Sequence, residues 1–225
     1  MVPAMVFFAG RELVCLRGER VVFSGLSFAL ARGDAMVLVG RNGSGKSSLL
    51  RVMAGLLRPL AGSLEREGQP VALDPEAHGA AVRYVGHMDA IKSVLTVEEN
   101  LAFWSGMHQD GTTEISRKDA VSAALDRVGL KRLAGQPGRL LSAGQRRRLN
   151  LARLLVAPSV VWLLDEPATA LDVGAIAMVE TIVAEHRERG GIVVLSTHSE
   201  MAVPGATRLC LDDYEPRNEP GGGPT

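Results

Sequence analysis

The chain is short of lysine, of aromatic rings and of cysteine, and it carries no surplus of charge of either sign. Lysine stands only at positions 46, 92, 118 and 131, and arginine greatly outnumbers it. With 25 basic and 25 acidic residues the formal net charge is zero, which excludes the global basic field on which nucleic-acid binding generally draws. No nucleic-acid partner is expected. Cys15 and Cys210 are far apart, match no C-x-x-C spacing and sit among apolar neighbours, so free thiols buried in a reducing compartment are expected. No charge-free run of 18 residues is apolar enough to span a bilayer. Residues 1–8 lack the basic n-region and the length of a secretory signal, so a soluble protein is expected.

What is present begins with size. At 225 residues and 46% hydrophobic, the chain suits one globular unit with a real core. Gly40-Arg41-Asn42-Gly43-Ser44-Gly45-Lys46-Ser47 fits G-x-x-x-x-G-K-[ST] and lies between an apolar run, residues 35–39, and a helix-like segment opening at Ser48. Strand, glycine-rich loop and helix together mark a phosphate-binding loop. The glycines let backbone N–H groups converge on phosphates, the helix N-terminus adds its positive end, Lys46 reaches the outer phosphates and the Ser47 hydroxyl is placed for Mg²⁺. A chance match somewhere in the chain is on the order of 1% before that context is counted, so the loop reading stands.

Residues 11–30 alternate loosely around Gly18 and predict an antiparallel hairpin ahead of the loop, with Leu64 joining the same small sheet. Short apolar runs at 82–85, 160–164, 192–196 and 209–211 alternate with helical stretches, the βα pattern of a parallel sheet covered on both faces. Between 88 and about 155 the pattern turns helical, clearest at 97–104 and 117–128, and predicts a helical lobe inserted in the core. The resulting expectation is one α/β domain over 1–212 followed by a disordered tail at 213–225, where Glu-Pro-Gly-Gly-Gly-Pro is too polar and broken to pack.

Residues 160–164 run apolar into Asp165-Glu166, as in a buried strand whose C-terminal end faces the ligand. Asp165 is placed to hold Mg²⁺ through its water shell, and Glu166, one residue further out, to polarise a water against the γ-phosphate. Leu141-Ser142-Ala143-Gly144-Gln145 precedes a helix, so Ser142 can cap it and Gly144 can admit a phosphate to its positive end. The run Arg146-Arg147-Arg148 reads as a solvated helix face.

The pentapeptide closely resembles the signature sequence of the ATP-binding-cassette ATPases, with alanine where most members carry a second glycine. Glu-Pro-Ala-Thr-Ala-Leu-Asp from Glu166 resembles that family's D-loop, and Ser196-Thr197-His198 its switch histidine. The resemblance runs from about residue 11 to about 211. It implies a P-loop NTPase with an N-terminal antiparallel β subdomain, a mainly parallel core and an inserted helical subdomain. It further implies an ATPase that pairs head to tail with a second copy of itself. Glu166 would be the base, His198 would sense the γ-phosphate, and Ser142, Gly144 and Gln145 would grip the partner's ATP. Two positions depart from the family pattern. His87 stands where the Q-loop glutamine is expected, and imidazole can still bond a water or a metal. Arg17 stands near the place of the adenine-stacking aromatic, so the base would lie on a guanidinium plane.

These departures, with Tyr84-Val85-Gly86-His87, Ile91-Lys92, the stretch 95–104 and Leu141–Arg148, resemble the cytochrome c biogenesis haem-exporter ATPases within that family. By that resemblance the chain works at the cytoplasmic face of the bacterial inner membrane. It binds a polytopic membrane subunit there and hydrolyses ATP for haem export or release of a haem-loaded chaperone. Phe103 and Trp104 sit on the lobe that receives the membrane subunit in cassette ATPases. There is no C-x-x-C-H, and His78, His87, His108 and His186 have no paired ligand, so direct haem contact is not expected. The alternatives are an exporter of a drug, lipid or polysaccharide, and a soluble cassette protein of ribosomes or DNA. The latter generally carries two cassettes or a long coiled-coil insertion, neither visible here. A phosphate-loop nucleotide kinase would lack the signature.

Overall fold

The computed structural model describes residues 5–107, 114–197 and 201–216. The N-terminal hairpin is longer than its sequence pattern indicates. Strand β1 (Val6–Arg17) turns at Gly18 into β2 (Arg20–Ala31). A second antiparallel ladder joins β1 to β4 (Ala61–Arg66), carrying Leu64, and β4 to the short β5 (Gln69–Pro70), giving the order β2-β1-β4-β5. The β1 ladders are broken by register shifts around residues 10–14. Gly62 passes this irregular stretch so closely that a Cβ there would lie 2.4 Å from the carbonyl oxygens of Arg11 and Glu12, which leaves no room for another residue.

The second sheet is parallel. It runs β6-β7-β8-β3-β9, with β3 at Ala35–Val39, β6 at Val82–Val85, β7 at Val161–Asp165, β8 at Ile192–Ser196 and β9 at Thr207–Cys210. Every residue of β7 and β8 is buried, as expected where both faces of a sheet are covered. Because side chains alternate across a strand, Val161 and Leu163 face one core while Trp162 and Leu164 face another.

The first core is closed by α1 (Lys46–Met53), through Leu49, Leu50 and Met53, together with Phe8, Phe23 and Leu26 of the antiparallel sheet. That face is therefore covered largely by a second sheet rather than by helices alone. On the other face lie α5 (Ala143–Val156), through Leu151 and Leu154, and α6 (Val173–Glu188), through Val179, Ile182 and Val183. A third core unites α3 (Val97–Gly106), α4 (Glu114–Arg127) and the opposite side of α5, through Leu149, Ala152 and Val156. Helix α5 thus belongs to the lobe and to the sheet at once. A short helix α2 (Pro75–Ala81) precedes β6; Asp74 caps it and Pro75 occupies its first turn.

Residues 213–216, expected at the start of a tail, belong to the folded body. Leu211–Tyr214 forms a 3₁₀ turn with Leu211 buried, and Asp212 and Glu215 accept hydrogen bonds from Arg41. The remainder of the expected tail, 217–225, lies outside the described residues, as does His198. Cys15 is a buried free thiol, its pKa raised by burial, whereas Cys210 is only half-buried. Among the described residues no helix is long and apolar enough to cross a membrane.

Candidate functional site

Strand β3 delivers the chain to the glycine-rich loop, and α1 starts at Lys46. Gly40, Gly43 and Gly45 all hold positive φ, at 139°, 84° and 107°. The loop also fills the space a side chain would need. A Cβ on Gly40 would meet Ser44 Oγ at 2.7 Å, and one on Gly45 would meet Val22 at 2.5 Å. Lys46 bends back across the loop, donating to the Gly40 and Arg41 carbonyls at 2.7 and 2.9 Å. An ammonium has three donors, so this posture holds the charge over the cradle with capacity for an oxyanion. Ser44 Oγ is buried with no partner among the described residues, an orphaned donor that suits a loop shaped around an anion.

The loop opens into a cleft of about 530 Å³, in the size range of nucleotide-binding pockets. Its lining comprises Asn42, Gly43, Gly45, Lys46, Ser47 and Ser48 of the loop and α1, His87, Asp165 and Glu166 from at or just beyond the ends of β6 and β7, and Arg17, Arg20 and Val22 of the hairpin. Gly40, Arg41 and Ser44 shape the loop without lining the cleft. Arg41 is turned away altogether: its N–H donates to Asp212 at 3.1 Å and its guanidinium pairs with Glu215 at 2.6 Å. Arg20 escaped notice in the sequence because it sits beside the hairpin turn; its place three residues from Arg17, across that turn, was the available signal.

Asp165 is buried at the end of β7 and is held from three sides. Ser47 Oγ donates to its Oδ1 at 3.0 Å, Ser196 Oγ to the same oxygen at 2.8 Å, and Tyr84 Oη to Oδ2 at 3.3 Å. Burial, together with the neighbouring carboxylate, raises the pKa of Tyr84 and keeps it a donor. Ser47 and Asp165 present hard oxygen atoms side by side, the donor type Mg²⁺ takes when it also binds substrate phosphates. These residues fit the ion. Glu166 follows at φ 51°, the left-handed region, and its N–H donates to the Ser196 carbonyl at 3.1 Å. The strained backbone turns the acidic side chain out of the strand line and into the cleft wall.

The signature residues are elsewhere. Ser142 and Gln145 close a reciprocal cap on α5: Ser142 Oγ accepts from Gln145 N at 3.2 Å, and Gln145 Oε1 from Ser142 N at 2.8 Å. Gly144 lies where a Cβ would be 2.8 Å from the Ala170 carbonyl of the D-loop. None of the three lines the cleft of their own chain. The arginine run is not a solvated face. Arg147 is 3% exposed and makes five hydrogen bonds, while Arg146 and Arg148 bond the carbonyls of Leu141 and Val128.

Residues 23–169, well over half of the chain, match the family described as "ABC transporter". The chain is 58% identical over 207 residues to the cytochrome c biogenesis ATP-binding export protein CcmA of Paramagnetospirillum magneticum, covering 92% of this chain and 94% of that relative. It is 56% identical over 213 residues to the protein of the same name in Rhodospirillum rubrum, covering 95% and 89%. Among solved structures, the ATP-binding subunit of an ABC transporter superimposes with a TM-score of 0.77 at 24% identity, over 85% of this chain and 79% of that one. A putative ABC transporter ATP-binding protein of Pyrococcus furiosus gives a TM-score of 0.77 at 23% identity, over 93% and 99%.

Proposed function

The chain belongs to the ABC transporter family of ATPases, and from that premise we propose that it is the ATP-hydrolysing subunit of an export complex for cytochrome c biogenesis. In this reading it acts as a head-to-tail pair at the cytoplasmic face of the bacterial inner membrane. The observation that carries the catalytic part is the buried Asp165, held by Ser47, Ser196 and Tyr84 against the loop that carries Lys46. The pathway rests on the relatives named for cytochrome c biogenesis.

Phosphoryl transfer asks a protein mainly to position and to neutralise charge. Lys46 and the loop N–H groups would bind the β- and γ-phosphates. Ser47 and Asp165 would hold Mg²⁺, which supplies further neutralisation of the phosphate oxygens when bound. Glu166 orients the attacking water and accepts its proton. His87, which lines the cleft, would bond a water in the place of the family's glutamine, and His198 would act as the γ-phosphate sensor. Arg17 and Arg20 bracket the base. Ser142, Gly144 and Gln145 complete the site of the partner copy.

A groove of about 750 Å³ between the core and the helical lobe supports a membrane partner. Leu56, Met107 and Trp104 line it with Arg83 and Arg153. Arg153 stacks on the Trp104 ring at 3.4 Å, and burial lowers its pKa to about 10. The Nε atoms of Arg83 and Arg153 are buried without partners among the described residues. A helix from the membrane subunit bearing a carboxylate would fill the groove and pair both guanidinium groups.

The test is complementation of a host deleted for the gene, read by haem-peroxidase staining of c-type cytochromes. Wild type is expected to restore staining, and Lys46→Ala and Glu166→Gln to fail. Purified Lys46→Ala is expected to lose nucleotide binding, whereas Glu166→Gln binds ATP and turns over about 10²- to 10⁴-fold more slowly. Normal staining in the deleted host would sink the pathway, and normal turnover by Glu166→Gln the assignment of the base.

A further inference from the structure

We propose that Arg147 is a positioning residue for hydrolysis: its guanidinium holds the backbone beside His87 and the backbone of Glu166, tying both to the helix that carries the signature. The inference rests on the reading of Glu166 as the base.

Five N–H donors sit on a guanidinium, and all five find acceptors. Nη1 donates to the Gly86 carbonyl at 2.9 Å and to Asp89 Oδ1 at 3.4 Å. Nη2 donates to the carbonyls of Asp165 and Glu166 at 2.7 and 2.6 Å, and Nε to that of Pro167 at 3.2 Å. Four of the five acceptors are therefore main-chain carbonyls, and they lie on two separate segments. One segment leads into His87; the other is the turn that presents Glu166. Burial disfavours the charge and lowers the pKa of Arg147, while the Asp89 carboxylate opposes the shift. Simple filling of this space would be served better by an apolar side chain. A charge placed here selects backbone geometry instead.

That geometry needs holding. Glu166 sits at φ 51°, a conformation that a residue with a Cβ keeps only while its surroundings impose it. Its N–H donates to the Ser196 carbonyl and hydroxyl, and its carbonyl accepts from Thr169 N–H at 3.2 Å and, more closely, from Arg147 at 2.6 Å. Two residues before Arg147 stands Gln145 of the α5 cap, and Gly144 abuts the Ala170 carbonyl beyond the same turn. A shift of the first turn of α5, such as gripping a partner's nucleotide would cause, is transmitted to Glu166 through the planar fork of Arg147.

The full-length chain is compared as wild type, Arg147→Met, Arg147→Lys and Glu166→Gln. Mg-ATP affinity is measured by calorimetry, hydrolysis by single turnover with chain in excess over radiolabelled ATP, and folding by thermal midpoint. Arg147→Met is expected to bind ATP within about threefold of wild type and to hydrolyse it on the order of 30- to 100-fold more slowly, since a misaimed group costs turnover rather than binding. Arg147→Lys, with the charge but without the fork, is expected to fall between. Hydrolysis by Arg147→Met within threefold of wild type overturns the proposal, and so does a loss of ATP affinity equal to the loss of rate. If Arg147→Met does not fold, Arg147→Lys decides: a wild-type rate at a wild-type thermal midpoint overturns it. Normal hydrolysis by Glu166→Gln marks failure of the underlying base assignment, separately from any result at Arg147.

Discussion

His78 carries a proton problem inside the first core. Its Nε2 lies 2.9 Å from the Met53 carbonyl, which can only accept, so Nε2 holds the proton and the buried Nδ1 has no partner among the described residues. Charging the ring would place an unpartnered N–H⁺ against Phe8. Burial therefore lowers the pKa of His78 below its ordinary 6.5, and it does the same to His186, stacked on Trp162 at 3.7 Å. The sign follows from proton counting: below about pH 6.5 the unfolded chain binds protons that the folded one refuses. Stability is full above that pH and is lost as pH falls through it towards the folded value. The thermal midpoint is expected to fall between pH 7.5 and 5.5, and His78→Gln, which keeps a donor for Met53, to flatten that slope; an unchanged slope would show that His78 is not the group responsible. Arg17 and Arg20 line the cleft, and in the proposed site they would offer the base guanidinium planes in place of an aromatic ring. GTP is accordingly expected to compete with ATP within about one order of magnitude, since stacking alone reads no base edge; competition titration with a fluorescent nucleotide measures it. The sequence made the loop and Asp165-Glu166 legible because their residue types serve only that chemistry. Arg147 was missed because a run of three arginines looks solvated. Its signal was phase: Arg147, Leu151 and Leu154 stand at i, i+4 and i+7, on one face of α5.

Helix α5 shows how one element serves two demands. Its cap joins Ser142 and Gln145 in a reciprocal pair, and the same residues lie at an exposed helix N-terminus suited to another chain's phosphate. Ser142→Ala removes a cap that contributes about 1 kcal/mol, worth roughly 2–4 °C of thermal midpoint in a domain of this size. If the cap were its whole role, ATP-driven dimerisation would fall no further than that. The expectation is that dimerisation, read by light scattering in the Glu166→Gln background, is lost while the midpoint moves only by the cap. The docking groove makes a parallel demand on α3 and α5. Arg153→Glu reverses the charge beside Trp104, so recovery of the chain in the membrane fraction is expected to drop while its Mg-ATP affinity holds; equal recovery would remove the groove as the contact. Element types were readable wherever one period dominated. The unbroken apolar runs that open β7 and β8 announced a covered parallel sheet, and the antiparallel sheet was visible in outline. Its register was not: the β1 ladders shift around residues 10–14, where Gly62 of β4 passes against the Arg11 and Glu12 carbonyls, and local alternation carries no record of such a contact. Helix α2 also went unread, although Asp74-Pro75 carries the cap and first-turn proline that open it.

At the scale of the whole molecule, the decisive fact is a separation. Lys46, Ser47, Asp165, Glu166 and His87 meet in one cleft, whereas Ser142, Gly144 and Gln145 sit outside it at the N-terminus of α5. Among the described residues the signature does not line the cleft of its own chain, so in the proposed pair each cleft is completed by the other copy and hydrolysis depends on encounter. That dependence has a kinetic form. Where most of the chain is monomeric, the observed rate should rise with the square of chain concentration and become linear once the pair is saturated. Glu166→Gln, which binds ATP without consuming it, is expected to shift from one copy to two on addition of Mg-ATP, because a ligand that binds only the pair stabilises the pair. Mixing supplies the sharper measurement. A chain with Lys46→Ala has an intact signature and no nucleotide, and one with Ser142→Arg has an intact loop and a blocked signature. In a head-to-tail pair formed from one of each, the only nucleotide-competent loop faces the intact signature, so the mixture should hydrolyse ATP although neither variant does alone. Silence of the mixture, with both variants folded and Ser142→Arg still binding ATP, would mean that the signature acts within its own chain, and the separation seen in the fold would then have to close by movement of the helical lobe.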